Sequence, residues 1–247
     1  MNKKQILDAI KAVRENSPKR NFKQTVDLLI KLKGIDLKKQ DQKVDFFLTL
    51  PNTLGKKVKV CGLMDSKLAG KGKEVFDFIV HKDNFSDYKD KKLIKKLTSE
   101  YDFFVAQAEL MGLVAATFGK VFGPKGKMPN PKAGCVVPLT TLDLKPLYEK
   151  LQRSVKVTTK NEISIKVPVG IETMNDDEIV ENVEAVYSNL LPKLPHGEIN
   201  ISSVSIKLTM GPFFKLGEGF KVIKENVKVE NKKWNLKQLF HLRIRKK

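Results

Sequence analysis

The sequence predicts a two-domain protein, in which an α+β domain built from both ends of the chain carries an inserted three-layer α/β domain. The first observation is size, because 247 residues with 41% hydrophobic content can bury one large core or two modest ones. The second is rhythm, because strand-like and helix-like stretches alternate through the middle of the chain. The third is that each outer segment is too short to bury a core alone, so the two are expected to share one.

The N-terminal segment, 1–52, is predicted to supply one helix and two strands to the outer domain, domain I. The helix follows from apolar residues at helical spacing, and Ser17-Pro18 ends it. The strands are two apolar runs joined by a polar loop, and Pro51-Asn52 breaks the pattern. The predicted elements are a helix over 3–15 and strands over Val26–Ile30 and Val44–Leu50.

The middle segment, 53–155, is predicted to form the inserted domain, domain II. Short apolar runs that suit strands alternate with stretches of helical periodicity, which is the pattern of a sheet covered by helices. The predicted strands cover 57–63, 74–80 and 101–106, and the predicted helices cover 90–99, 109–121 and a short stretch within 139–151.

The C-terminal segment, 156–219, returns to the first rhythm and is predicted to complete domain I. A Lys160-Asn161 turn between two alternating runs predicts a hairpin. Asn175, with Glu178 three residues later, predicts a capped helix start. The predicted elements are hairpin strands over Val155–Thr159 and Ile163–Val167, a helix from Asn175 to Leu190, and a strand over Ile199–Leu208 that Gly211-Pro212 ends.

The charge distribution favours a polyanionic partner. The chain carries 47 basic and 28 acidic residues, a net charge of +19, which favours nucleic acid or an anionic membrane surface. Residues 220–247 hold 10 basic and 2 acidic side chains, a net charge of +8, whereas residues 156–219 hold 6 and 9. We therefore predict a basic C-terminal extension over 220–247.

Metal and cofactor signatures are not found in the sequence. Cys61 and Cys135 lie far apart, so neither a disulfide framework nor zinc-ligand spacing is indicated. His81, His196 and His241 are scattered, and no catalytic Ser/His/Asp or Cys/His pattern is present. With no signal peptide and no apolar run long enough to span a membrane, the expected location is the cytoplasm. We expect no cofactor, no metal and no enzymatic activity.

The densest turn-forming stretch is GPKGKMPNPKAG, Gly123–Gly134. Its three glycines and three prolines predict a rigid, basic loop without regular structure, which fits either a polyanion contact or an ordinary surface connection. It is not a nucleotide-binding P-loop, because Met128 follows Lys127 and no glycine stands at the required spacing. No glycine fingerprint for a dinucleotide follows a predicted strand either.

Two further segments are candidates for contact with RNA. Phe22 lies between Arg20 and Lys23, a combination that suits base stacking with neighbouring cations on phosphates, although a phenylalanine at the start of a strand also suits a core. The Thr209–Pro212 segment offers a hydroxyl, a flexible methionine and a glycine, although its chemistry alone favours a turn that ends a strand, with Met210 in the core.

These motifs together resemble ribosomal protein L1, in particular its archaeal form. The resemblance rests on GPKGKMPNPKAG, on Phe22-x-x-Thr25-x-Asp27 and on Ser203 with Thr209-Met210-Gly211-Pro212, and it covers about residues 3–217. It implies the architecture described above, with a Rossmann-like domain II inserted into domain I. It also implies a structural protein of the large ribosomal subunit, located at the mobile stalk beside the tRNA exit site.

The resemblance further implies partners and contact residues. The partners would be large-subunit ribosomal RNA, tRNA at the exit site, other large-subunit components and, through translational repression, the protein's own messenger RNA. Asp27 would accept a hydrogen bond from a 2′-hydroxyl, although the family often has Glu there. The implied RNA contacts are Phe22, Thr25, Asp27, Ser203, Thr209, Met210 and Gly211, to which the charge pattern adds Arg20 and Lys23.

Two other classes of function stay open at this point. A nucleotide-dependent enzyme would use domain II, which lacks the glycine fingerprint that such enzymes need. A membrane-surface protein would use the tail, where apolar side chains lie among lysines: Trp234, Leu236, Leu239 and Phe240. We expect RNA rather than a membrane as the partner.

Overall fold

The computed structural model describes residues 2–39, 42–139, 143–159 and 162–216. The predicted basic extension, 220–247, lies outside the described residues. The predicted fold class is confirmed, because one sheet is antiparallel with helices on it and another is parallel with helices on both faces. The domain boundaries placed after residues 52 and 155 stay predictions.

Domain I is built on a four-stranded antiparallel sheet with strand order β10-β9-β1-β8. Helices α1 and α6 contribute apolar side chains to the core cluster on one side of this sheet. A separate two-stranded ribbon pairs β2 with β7. The elements are α1 (Lys3–Asn16), β1 (Thr25–Leu32), β2 (Asp45–Thr49), β7 (Ser154–Thr158), β8 (Ser164–Ile171), α6 (Asp176–Leu190), β9 (Ile201–Leu208) and β10 (Phe213–Lys215).

Alternation along β1 decides which face of this sheet is buried. Val26, Leu28 and Ile30 are buried, while the residues between them are half-buried or exposed. Because successive side chains of a strand point to opposite faces, one face belongs to the core and the other does not. The core face packs on apolar stripes of both helices: Ile6, Ala9, Ile10 and Val13 of α1, and Ile179, Val183, Val186 and Leu190 of α6.

Domain II is a three-layer sandwich around a parallel sheet of order β4-β3-β5-β6. All five residues of β3 are buried, as expected when helices cover both faces. One core cluster contains Cys61 and Leu63, and a second contains Val60 and Met64, so the two clusters lie on opposite faces. The elements are β3 (Val60–Met64), α2 (Ser66–Lys73), β4 (Phe78–His81), α3 (Lys91–Glu100), β5 (Phe103–Gln107), α4 (Met111–Lys125), β6 (Val136–Val137) and α5 (Lys145–Gln152).

The predicted hairpin between residues 155–159 and 163–167 is wrong. β7 pairs along its length with β2, which lies about a hundred residues earlier, while β8 pairs with β1. The two predicted hairpin strands share a single isolated β-bridge, between Thr159 and Ile165. Val155 and Val157 of β7 enter the domain I core beside β2, so burial against a distant strand prevails over the short connection.

The prediction that Gly123–Gly134 lacks regular structure is wrong at its first three residues. Helix α4 continues through Gly123, Pro124 and Lys125, and Gly126 ends it in the left-handed conformation at φ 66°. The apolar stripe of α4 is buried against the sheet, and this packing outweighs the low helix propensity of the last turn. The remainder is non-repetitive except for one 3₁₀ turn at Pro131–Ala133.

Among the α-helices and strands of the described residues, three short elements were not predicted. Helix α2 has two glycines and little apolar periodicity, and two buried residues, Leu68 and Ala69, hold it on the sheet. Strands β6 and β10 have two and three residues and are too short to give a pattern. The helix start at Asn175 is confirmed, but the predicted side-chain cap is wrong, because the Asn175 side chain makes no capping bond.

Candidate nucleic-acid interface

The face of the domain I sheet opposite the helices, called here the outer face, carries the predicted contact residues that lie on strands. Thr25, Asp27, Leu29 and Lys31 alternate along β1 with core residues, so their side chains share this face. Ser203 and Lys207 lie at corresponding positions on β9, paired with Lys31 and Asp27.

Thr25 and Thr209 meet at one end of the outer face. The Thr209 amide donates to the Thr25 carbonyl at 3.1 Å. The Thr209 hydroxyl accepts from the Thr25 amide at 3.2 Å and donates to the Thr25 carbonyl at 3.2 Å. With its proton already used, this exposed hydroxyl can offer a ligand only its remaining lone pair. A hydroxyl donor, such as a ribose, is therefore its natural partner.

Gln24 ties together the two loops at this end, and it was missed in the sequence. It is 1% exposed, its Nε2 donates to the Pro18 carbonyl at 3.2 Å, and its Oε1 accepts from the Met210 amide at 3.2 Å. The loop before β1 therefore lies against the loop after β9. A lone glutamine before a strand gives no signal of this role, because the partner amide is 186 residues away.

The two loops expose two large apolar side chains. Phe22 is 54% exposed and Met210 is 57% exposed, so neither belongs to the core that the sequence also allowed. Arg20 and Lys23, on either side of Phe22, are exposed too. Apolar surface of this kind, surrounded by positive charge, suits a nucleobase held beside its phosphates.

Gly211 has a structural reason to be glycine. A Cβ at this position would collide with the side-chain oxygen of Ser17, at the end of α1. The family resemblance implies that this glycine also contacts RNA. The Gly211 Cα lies against a side chain of the same domain, and the RNA contact expected at this residue stays a prediction.

Asp27 is a half-buried carboxyl group on the outer face. Burial raises its pKa above the ordinary value, and the positive charge of Lys207 on the paired strand opposes this rise. A carboxylate in such a place accepts hydrogen bonds but repels phosphates, so it favours a hydroxyl donor.

Ser203 lies apart from the other predicted residues. Six residues separate it from Thr209 along β9, which is roughly 20 Å at about 3.3 Å per residue. It lines a shallow concavity of about 370 Å³ on the outer face, together with polar and basic side chains. These include Lys31, Ser164, Lys166, Ser205 and Lys207.

Two of the three lysines of the Gly123–Gly134 loop turn toward α3. Lys127 Nζ donates to the carbonyls of Thr98 at 2.8 Å and Tyr101 at 2.6 Å. Lys125 Nζ donates to the Thr98 hydroxyl at 2.6 Å and the Lys95 carbonyl at 3.3 Å. Cations at a helix C-terminus satisfy carbonyls that have no partner within the helix, so these two charges stabilise domain II.

The described ranges contain neither a candidate metal site nor a membrane-spanning helix. No group of three or more His, Cys, Asp or Glu side chains that could hold a metal occurs among these residues. None of the helices there is both long and apolar enough to cross a membrane. Cys61 and Cys135 are both buried, free thiols.

Comparison with known proteins identifies close relatives. A model of the ribosomal protein L1p/L10e family matches residues 11–212. Large ribosomal subunit protein uL1 of Methanothermococcus thermolithotrophicus is 38% identical over 213 residues, which cover 86% of this chain and 97% of the relative. The same protein of Pyrococcus abyssi is 36% identical over 216 residues, covering 87% and 96%. Both organisms are archaea, as the sequence resemblance predicted.

Proposed function

Since the chain belongs to the ribosomal protein L1p/L10e family and is a structural protein of the large ribosomal subunit rather than an enzyme, we propose that it binds large-subunit ribosomal RNA through the end of domain I. The contact surface, called here the RNA end, comprises the loops over 20–25 and 209–211 with Asp27. The bound RNA is proposed to be that of the mobile stalk beside the tRNA exit site, where other large-subunit components and the exiting tRNA are the further partners. The site of action is the cytoplasmic ribosome.

The observation that carries the proposal is the pair of exposed apolar side chains, Phe22 and Met210, on two loops that Gln24 fixes together. A protein gains nothing in stability from a large apolar group in water. A base stacked on such a group contributes about 1–3 kcal/mol to binding. Pre-positioned loops also lose little conformational entropy when RNA binds.

The polar groups around this pair favour RNA over DNA. Thr209 offers a lone pair, and Asp27 offers carboxylate oxygens, so both accept hydrogen bonds. The 2′-hydroxyl is the donor that RNA has and DNA lacks. Arg20 and Lys23 supply the positive charge that phosphates require.

Binding to a stalk ribosomal RNA fragment tests this proposal. Phe22→Ala is expected to weaken binding by about 1–3 kcal/mol, with the unfolding transition unchanged because the ring is exposed. Ile199→Ala is the matched control, since Ile199 is 73% exposed and precedes the opposite end of β9. Equal losses in the two variants, or equal affinity of the natural chain for a DNA duplex of the same sequence, would contradict recognition at the RNA end.

We also propose that the same surface binds the protein's own messenger RNA and thereby represses translation. The support is the family resemblance together with the exposed RNA end, whose stacking and hydroxyl-accepting groups suit features that every RNA has. A fragment of that messenger RNA is expected to compete with the ribosomal RNA fragment. Phe22→Ala should weaken both complexes by similar factors. Simultaneous binding of both RNAs would contradict a shared site.

A further inference from the structure

A cleft of about 570 Å³ lies between domain I and domain II, beside the RNA end. Domain I contributes Thr25, Asp27 and Thr209, and domain II contributes residues 125–128 and Asn130. Ligand sites in proteins are commonly clefts of about 300–1,000 Å³ at domain interfaces, so this volume suits a group the size of a nucleotide.

Four lysines give this cleft a positive field. Lys56, Lys125, Lys127 and Lys156 all line it. The pKa of Lys127 is lowered by burial and by the nearby charges of Lys125 and Lys56, although Asp102 opposes this shift. The positive charges of Lys125 and Lys56 therefore repel that of Lys127, and an anion placed among these three would relieve the repulsion.

Donors remain free on these lysines. An ammonium group has three N–H donors, and Lys125 and Lys127 each use two of them on α3. Lys56 is exposed and makes no hydrogen bond or ion pair with the described part of the chain. Lys156 is paired with Asp45 at 3.4 Å. Lys56 is thus the cation most available to an anion.

Apolar walls face these cations. Phe47 of β2 and Phe103 of β5 are half-buried, and their ring centroids are 6.5 Å apart across the two domains. Lys156 Nζ lies 5.6 Å from the centre of the Phe47 ring. Met128, also half-buried, adds a polarisable sulfur to the lining. Ring faces and a thioether beside ammonium groups suit a nucleobase attached to a phosphate.

The cleft is continuous with the RNA end, because Thr25, Asp27 and Thr209 belong to both. The carboxylates that line it, Asp27 and Asp102, repel phosphate and favour hydroxyl groups. The two acids therefore suit the hydroxyl groups of a sugar, and the lysines suit a phosphate, so the lining matches both parts of a nucleoside phosphate.

We propose that the interdomain cleft binds one nucleoside phosphate, supplied by a nucleotide of the RNA that is held at the RNA end. This inference rests on the proposed RNA-binding function. The cleft then contacts RNA from both domains at once, and Lys56 is the residue that binds the phosphate. A free mononucleotide has the same chemistry, so the test must distinguish the two sources.

Methionine methyl groups report the two surfaces separately. The full chain, labelled with ¹³C at its six methionine methyls, would be titrated with 5′-UMP, with 5′-AMP and with the stalk ribosomal RNA fragment. Met210 reports the RNA end, Met128 reports the cleft, and buried Met64 is the internal reference. Met128→Leu and Met210→Leu assign the signals. We expect RNA to shift the methyl signals of both Met128 and Met210, whether or not the mononucleotides also shift the Met128 signal.

Two substitutions test the lining itself. Lys56→Gln is expected to lower RNA affinity roughly threefold to tenfold and to flatten its salt dependence by about one phosphate contact. Phe47→Leu, which keeps apolar volume but removes the ring, should lower RNA affinity about fivefold. Lys120→Gln is the matched control, because Lys120 is exposed on domain II and lines a different concavity. The affinity of this variant for RNA and the salt dependence of that affinity should be unchanged.

Each result decides the proposal. Shifts of Met128 with RNA and with mononucleotides support a site that also takes free nucleotide, while shifts with RNA alone support the RNA as the source. If RNA shifts Met210 only, and Lys56→Gln matches Lys120→Gln, the cleft proposal is overturned and RNA binding at the RNA end stands. If RNA shifts neither methyl and does not bind, both proposals fail. Mononucleotide binding without RNA binding also overturns the inference, because the bound nucleoside phosphate would then not come from RNA.

Discussion

At the RNA end of domain I, the loops carrying Phe22 and Met210 leave two large apolar side chains in solvent, whereas the Gly123–Gly134 loop of domain II turns Lys125 and Lys127 onto α3. The sequence resemblance rested on both regions, and the second is the richer in glycine, proline and lysine. Its charges nevertheless satisfy helix carbonyls. A basic, glycine-rich motif can therefore have a structural role that its composition does not reveal, and each of these two lysines keeps only one N–H donor for an anion in the interdomain cleft.

Among the substitutions that test this comparison, removing Lys127 is expected to change the free energy of unfolding the most. Lys127→Met deletes two charge-assisted hydrogen bonds to the Thr98 and Tyr101 carbonyls, so the free energy of unfolding should fall by roughly 2–3 kcal/mol. Lys132→Met, in the same loop but exposed, should change it by less than about 0.5 kcal/mol. Denaturant unfolding measures both. A loss of RNA affinity with unchanged stability in Lys127→Met would mean that this lysine contacts RNA rather than α3.

Gly211→Ala tests the packing beneath the RNA end. The new Cβ would collide with the Ser17 side chain, and such overpacking costs about 1–3 kcal/mol of stability. Combining it with Ser17→Gly removes the obstructing atoms and should restore much of the loss. If the double variant is as unstable as Gly211→Ala alone, the glycine is required for another reason.

Thr209→Val tests whether the hydroxyl at the RNA end has two roles. It removes hydrogen bonds to the Thr25 backbone, so we expect about 1 kcal/mol less stability and a loss of RNA affinity of similar size. Thr209→Ser keeps the hydroxyl and should restore both. Affinity that stays normal in the valine variant would limit Thr209 to joining β1 and β9.

The smallest effect is the pH dependence that Asp27 confers. Its pKa is raised above 3.8 in the folded protein, so the folded state binds the proton more tightly than the unfolded chain. Stability should therefore fall slightly as pH rises upward from 3.8 through the folded pKa. RNA affinity should rise over the same window, because the carboxylate is the acceptor. Asp27→Asn should remove both trends, and parallel changes in stability and affinity would contradict this role.

The sequence predicted the elements that carry their own periodicity. The apolar stripes of α1 and α6 and the alternation in β1 and β9 each follow from local pattern. The partner of β7 could not be predicted in this way, because it is a strand from the other chain segment. Proximity along the chain favoured a hairpin, whereas burial of Val155 and Val157 beside β2 determined the pairing.

The site was predictable as a set of residues but not as an arrangement. The motifs named Phe22, Thr25, Asp27, Thr209 and Met210, and the structure places them at one end of the sheet. Ser203 lies at the other end, since strand geometry separates residues that the motif groups together. Gln24 gave no signal, because its hydrogen bonds join loops that only the fold brings together.

Crosslinking tests the central claim most directly. The full chain bound to the stalk ribosomal RNA fragment would be irradiated with ultraviolet light, and the crosslinked peptides identified by mass spectrometry. We predict crosslinks concentrated in peptides containing Phe22 and Met210, with those peptides depleted in the Phe22→Ala protein. Crosslinks confined to Gly123–Gly134 or to 220–247, with none at the RNA end, would contradict the account.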